Sequence, residues 1–168
     1  MSLIRGPFTI KFGSNEIEDV EEIAIDHVIA SEDYETVQGR TLEVDGPYKV
    51  SAVITLLASD LPVLAVCLPQ HFVANGEVMS TGETVENAAG AIDVVAHDCD
   101  TDIVYNDLDI MSCANPANVL RLVNCRTKLE GISVDNKIQK IMVKFVGESA
   151  AGEASVQMFK DGTIAVAS

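Results

Sequence analysis

Hydrophobic and polar positions alternate along much of this chain, and a period of two predicts a mainly β protein. Phe8, Ile10 and Phe12 alternate with Thr9 and Lys11, and Gly13-Ser14-Asn15 supplies the turn that follows. Ile23, Ile25, His27 and Ile29 share one face of a second strand, against Ala24, Asp26 and Val28. Val50, Ala52, Ile54 and Leu56 share a face of a third, against Lys49, Ser51, Val53 and Thr55. Between these two strands runs a polar arm, residues 31–47, far longer than the roughly two to five residues that usually join hairpin strands. Ordering such an excursion costs roughly 1–2 kcal/mol per residue in backbone entropy, so it is expected to order against a neighbouring copy. Tyr34, Val37, Arg40, Leu42 and Val44 are expected at those subunit contacts, because apolar side chains on a polar arm otherwise gain nothing. A plain mobile loop is the alternative.

After Leu57 the period changes. Ser59 or Asp60 can N-cap a helix with Pro62 in its first turn, where a missing N–H does no harm. Leu61, Leu64, Ala65 and Leu68 recur at helical spacing, and Pro69 ends the segment after about two turns, as a lid on one sheet face. Residues 70–90 read as loop, with Asn75-Gly76 and Thr81-Gly82 as turn signals. Strands are expected at Ala91–Ala96, Ile103–Tyr105 and Leu108–Ser112, and the chain breaks again at Ala114–Asn118. Val119–Asn124 and Lys128–Val134 are expected to pair across a short turn. Ile138–Val146 is a strand with Ile141, Val143 and Phe145 inward and Lys140 and Lys144 outward. Ala154–Met158 and Thr163–Val166 flank Lys160-Asp161-Gly162, a hairpin signal.

A chain of 168 residues and 17.9 kDa is expected to be a single domain, 1–168, able to build a core without disulfides. That core must be aliphatic, since aromatics make up only 5% and Trp is absent. Charge adds a second signal, because 11 Lys+Arg stand against 26 Asp+Glu, a net of −15. Ser14–Asp45 holds eleven acids and only Arg40 as a base, whereas Ile110–Ser168 holds seven bases and five acids. Such a subunit can associate head to tail, and the net charge argues against tight nucleic-acid binding, which phosphate neutralisation drives. A solvated acidic surface that aids solubility is the plainer explanation.

Chemistry is sparse. Cys67, Cys99, Cys113 and Cys125 form no CxxC pair, and the N-terminus lacks a signal-peptide pattern, so free, buried thiols in a reducing cytoplasm are expected. No apolar run reaches membrane-spanning length. Asp98, Asp100, Asp102, Asp107 and Asp109 begin like a calcium loop, but Ile103 stands where the sharp turn demands Gly and Asp109 where a bidentate Glu belongs. An acidic loop is the simpler reading. His97 and Cys99 lack partners for a four-ligand zinc pattern. His27 on an apolar strand face reads as a hydrogen-bonded core or interface residue, and His71 as a partner of a helix C-terminus. Without GxSxG, a phosphate-cradling loop or HExxH, no enzyme activity, catalytic residue, metal or cofactor is expected.

The order of elements carries a resemblance. A strand, a long polar arm Ser31-Glu-Asp-Tyr-Glu-Thr-Val-Gln-Gly-Arg40, a second strand running into Leu56-Leu-Ala-Ser-Asp-Leu-Pro-Val-Leu-Ala65, and the late strand Lys140-Ile-Met-Val-Lys-Phe-Val146 resemble the tail tube (major tail) proteins of long-tailed bacteriophages. The resemblance implies a β-sandwich or barrel-like tail tube fold with one short helix and a long β-hairpin arm. It further implies a structural virion protein that self-assembles into stacked hexameric rings around a channel, conducting DNA from capsid to host without binding it specifically. Partners would be other copies, a tape measure, a terminator and a distal tail protein, in a tail assembled in the host cytoplasm; related rings occur in contractile tails and type VI secretion systems. Glu22, Asp26, Ser51 and Thr55, opposite the apolar face, would then line the channel, where acids repel phosphate; outer solvent is the alternative. A tail terminator, head-completion or capsid-decorating protein and a calcium-binding β module remain rival readings.

Overall fold

The computed structural model describes residues 7–57, 61–97, 99, 103–116, 118–134, 139–150 and 152–159, apart from the side chains of residues 30 and 148. The elements in chain order are β1 (Phe8–Phe12), β2 (Asn15–Ile17), β3 (Val20–Glu35), β4 (Thr41–Leu57), α1 (Leu61–Cys67), a 3-10 turn (Pro69–His71), β5 (Phe72–Val73), β6 (Ala91–Ile92), β7 (Asn106–Ser112), β8 (Val119–Val134), β9 (Gln139–Ser149) and β10 (Val156–Phe159). The fold is mainly β with one short helix, as the alternation predicts.

The larger sheet is antiparallel in the order β2-β1-β7-β8-β9-β4-β3, with β10 added to β8, and β5 and β6 form a separate pair. It is strongly curled but stays open, with β2 and β3 at its ends. In that order β1 and β9 are three steps apart, which in a flat sheet means about 14 Å at ~4.8 Å per step. Yet the Phe12 and Phe145 rings meet edge to face at 5.1 Å between centroids. The sheet must curl until its concave face becomes the core, which also gathers Ile17, Val50, Ile54, Leu108 and Leu122 in one buried cluster. Val50, Ala52 and Ile54 are fully buried, and so are Val143 and Phe145, so the alternation of both strands points them inward as expected.

α1 packs against β2 and β6, burying Cys67, and Leu68 follows with its N–H bonded to the Leu64 carbonyl at 2.7 Å. The candidate caps Ser59 and Asp60 lie outside the described residues. Gln70 then pins this corner to the sheet, its Nε2 donating to the Thr127 carbonyl at 2.7 Å.

On one expectation the structure agrees with the resemblance, and on three it differs from the sequence pattern. First, the arm is a long β-hairpin and not the loop given as its alternative: β3 and β4 stay paired through it as far as Glu35↔Thr41, and only Val37-Gln38-Gly39 form the hairpin loop. There the Gly39 N–H reaches the Thr36 carbonyl at 2.9 Å and the Thr36 N–H the Arg40 carbonyl at 2.7 Å, while Gly39 sits at φ +80°, the three-residue loop that ends in a left-handed glycine. Second, Val119–Asn124 and Lys128–Val134 do not pair with each other, being parts of one strand, β8. A bulge at Asn124, with φ +54° and its N–H held by Asp107 Oδ1 at 2.9 Å, shifts the inward alternation by one residue and mimics a turn in the sequence. Third, Ala91–Ala96 shrinks to β6, Ile103–Tyr105 is not strand, and the segment taken as loop contains the 3-10 turn and β5. Fourth, β10 pairs with β8; the partner strand expected at Thr163–Val166 and its turn lie outside the described residues.

Candidate assembly interface

β3 stands at the edge of the sheet, paired with β4 and on its other side with no described strand. An edge strand of sixteen residues presents a long row of unpaired backbone donors and acceptors, a template for pairing with another chain. Its side chains add to this. Ile23, Ile25, His27 and Ile29 lie abreast of Ile54, Ala52, Val50 and Tyr48 on the core-side face. Burial stops at that boundary: Val50, Ala52 and Ile54 are fully buried, whereas Ile25 is 41% and Ile29 43% exposed. The apolar face of β3 therefore overhangs the core. His27, expected in a core or interface, is exposed in the subunit; its Nε2 meets Ser155 Oγ at 3.0 Å and its ring meets Tyr48 edge to face at 5.4 Å. Among the described residues no carboxylate bonds its other nitrogen, so the Ser–His contact ties β3 to the approach of β10 without the orienting group of a nucleophilic triad.

Beyond Tyr48, where β9 ends its pairing with β4, the hairpin continues as a two-stranded ribbon. The step between Ile29↔Tyr48 and Ser31↔Asp45 contains a bulge at Gly46-Pro47, and Pro47 contributes no ladder N–H. All five arm residues expected at contacts are exposed: Tyr34, Leu42 and Val44 by about half, Val37 completely, and Arg40 at the loop end. The ribbon has two unlike faces. Glu32↔Val44 and Tyr34↔Leu42 make one, with the Tyr34 hydroxyl donating to Glu32, which pushes the phenol above its ordinary pKa. Ser31↔Asp45, Asp33↔Glu43 and Glu35↔Thr41 make the other, which is acidic.

Glu22, Asp26, Ser51 and Thr55 fall on the sheet face away from the core as two direct pairs, Glu22↔Thr55 and Asp26↔Ser51. Following the ladder across β9 and β8, the same face carries Val146 and Arg126 in the row of Asp26, and Lys144 and Lys128 in the next. The sheet is thus acidic at its β3 margin and basic toward its middle. The sequence reading missed these bases as a group, although the outward Lys144 and the alternation Arg126-Thr127-Lys128 were a signal for them.

Arg121 grips Asp109 through two bonds of 2.7 and 3.2 Å and lies 5.2 Å from the Phe159 ring centroid, fixing β7, β8 and β10 together; Asp109 raises the Arg121 pKa. This engages one of the acids counted toward a calcium loop, and Asp98, Asp100 and Asp102 lie outside the described residues. Among the described residues no group of three or more His, Cys, Asp or Glu side chains is placed to hold a metal ion. Cys67 and Cys125 are buried, which pushes each thiol up to about 12, whereas Cys99 and Cys113 are exposed, so only half of the expected burial of the thiols holds. No helix of the described chain is long and apolar enough to cross a membrane.

No protein-family model and no curated protein matches the sequence. Among solved structures, the chain is similar to the sheath/tube terminator of an extracellular contractile injection system, PVC, in its extended state. The TM-score is 0.53 at 12% identity, covering 91% of this chain and 93% of that one. The fold is shared with a tube terminator. The cap that terminates the tube of the anti-feeding prophage also matches, with TM-score 0.48, 11% identity and coverage of 90% and 96%. So does a chain of the PVC sheath-tube complex, with TM-score 0.45, 12% identity and coverage of 90% and 92%.

Proposed function

We propose that this chain is a structural, non-enzymatic subunit of a phage-tail-like tube, forming a ring with copies of itself, and that it serves at the end of the tube as a terminator. The observation that carries this reading is the fold shared with a tube terminator over nearly the whole of both chains. The exposed β3 edge and its overhanging aliphatic face support it, since a ring that continues the sheet from one copy to the next removes the edge and covers Ile25 and Ile29. In such a ring Glu22, Asp26, Ser51 and Thr55 face the channel and the arm reaches a neighbouring copy. Hexameric symmetry, tube partners and the passage of DNA belong to the same proposal.

A second position, the body of the tube, is favoured by the arm, because a ribbon that leaves the subunit at one end suits stacking of ring on ring. Electron microscopy of the purified chain separates the two. Isolated rings or short capped stacks support the terminator; long open tubes support the tube body. Monomers at every concentration and ionic strength would overturn both.

A further inference from the structure

Two pairs of like charges stand directly opposite each other across neighbouring strands, and the pairs have opposite sign. On the arm, Asp33 of β3 is registered against Glu43 of β4, both exposed. On the body, Lys128 of β8 is registered against Lys144 of β9, with Arg126 one alternation away on the same face. Like charges directly opposite in a ladder destabilise it. Among the described residues no carboxylate pairs with Arg126, Lys128 or Lys144, and no base with Asp33 or Glu43. The two pairs are also too far apart to meet in one copy. Lys144 lies abreast of Val53 and Ala24, and Asp33 is nine residues further along β3, about 30 Å at ~3.3 Å per residue.

We infer that the acidic face of one copy's arm docks on the Arg126–Lys128–Lys144 stripe of a second copy. Each pair has the same cross-strand spacing, roughly 5 Å between Cβ atoms, so two carboxylates can face two ammonium groups side by side. Asp45 and Glu35 extend the acidic face along the ribbon, as Arg126 extends the basic one along β8. A nucleic-acid phosphate fits the stripe less well, because Asp26 stands in the row of Arg126 on the same sheet face and the chain as a whole carries −15. The docking rests on the self-assembly reading and adds the surface and its partner: of the outward sheet face, the β3–β4 margin with Glu22, Asp26, Ser51 and Thr55 is left to the channel, and the β8–β9 part, beyond it along the curl of the sheet, takes the arm.

Complementary charge reversal in the full chain tests it, with association followed by sedimentation velocity at low and high salt and particles inspected by electron microscopy. Asp33→Lys/Glu43→Lys and Lys128→Glu/Lys144→Glu should each weaken association at least ~10-fold, and the four changes together should restore it; wild-type association should fall as salt rises. Circular dichroism checks folding. Should a reversal fail to fold, Asp33→Asn/Glu43→Asn and Lys128→Gln/Lys144→Gln should still weaken association and flatten its salt dependence. Rings that form equally well in every variant, or no rescue in the combined variant, would overturn this docking and leave the proposed function standing. Loss of binding to a DNA duplex in Lys128→Glu/Lys144→Glu, with self-association unchanged, would assign the stripe to phosphate and overturn it as well. Absence of rings from the wild-type chain would sink the self-assembly reading itself.

Discussion

Ile25 and Ile29 give the cleanest separation between what folds the subunit and what assembles it. They share a sheet face with Val50, Ala52 and Ile54, yet they remain 41% and 43% exposed while those three are fully buried. Complete burial of an isoleucine side chain stabilises by roughly 1.5–3 kcal/mol, so covering the exposed two-fifths of both should yield about 1–2 kcal/mol per interface. At ~1.4 kcal/mol per factor of ten, Ile25→Ser/Ile29→Ser should lower the association constant about 5- to 30-fold. The three-fifths of each side chain already covered in the monomer is worth about 1–2 kcal/mol per residue by the same measure, so each change should also lower the unfolding free energy by that much, whereas Ile54→Ala on the adjoining strand should cost about 2–5 kcal/mol. Urea denaturation of dilute protein measures the second quantity and sedimentation velocity the first. The double variant should not associate like the wild type, nor lose as much stability per substituted residue as Ile54→Ala; either result would refute this division.

Replacing Glu32–Val44 by an Asn-Gly turn should leave the urea midpoint nearly unchanged, because residues 31–49 are exposed except for half-buried Thr36, and should abolish the wild-type assemblies in micrographs; normal assemblies would show that the arm is dispensable. His71 is held below its ordinary value of 6.5 by burial and then by His97, so folding favours its neutral form, whose Nδ1 accepts the Val95 N–H at 3.4 Å. A depressed histidine contributes its full stability above the unfolded value and loses it as pH falls below, so between about pH 7 and 5 the wild type should lose more stability in urea than His71→Gln. With Cys67 and Cys125 pushed up to about 12, iodoacetamide at about pH 8 should label Cys99 and Cys113 in the native chain and the other two only after denaturation, read by mass spectrometry; equal labelling of all four would contradict their burial.

Much of the sheet was legible because one face of each central strand is buried, which forces the period of two at Val50–Leu56 and Ile141–Phe145. The arm was harder to read for the converse reason. With both faces in solvent, Ser31–Glu35 carries no apolar alternation, and Leu42 and Val44, which do alternate with Thr41, Glu43 and Asp45, mark only one of its two strands, so the pattern alone left an overlong polar connection, although Gln38-Gly39 was already a turn signal. β8 was split because the bulge at Asn124 moves its inward residues from even to odd positions, a register change decided by Asp107 on another strand. The four channel candidates were correctly placed on one face by alternation alone, but the bases beside them come from strands 71 and more residues later in the chain, and only the ladder brings Arg126 and Lys144 into those rows.

A ring-forming subunit stands or falls on the assembly of the isolated protein. Electron microscopy of the purified full chain over a range of concentration and salt should show rings or stacked rings with a central channel, with the exposed β3 edge taken up between copies. A population that stays monomeric under all those conditions would contradict it.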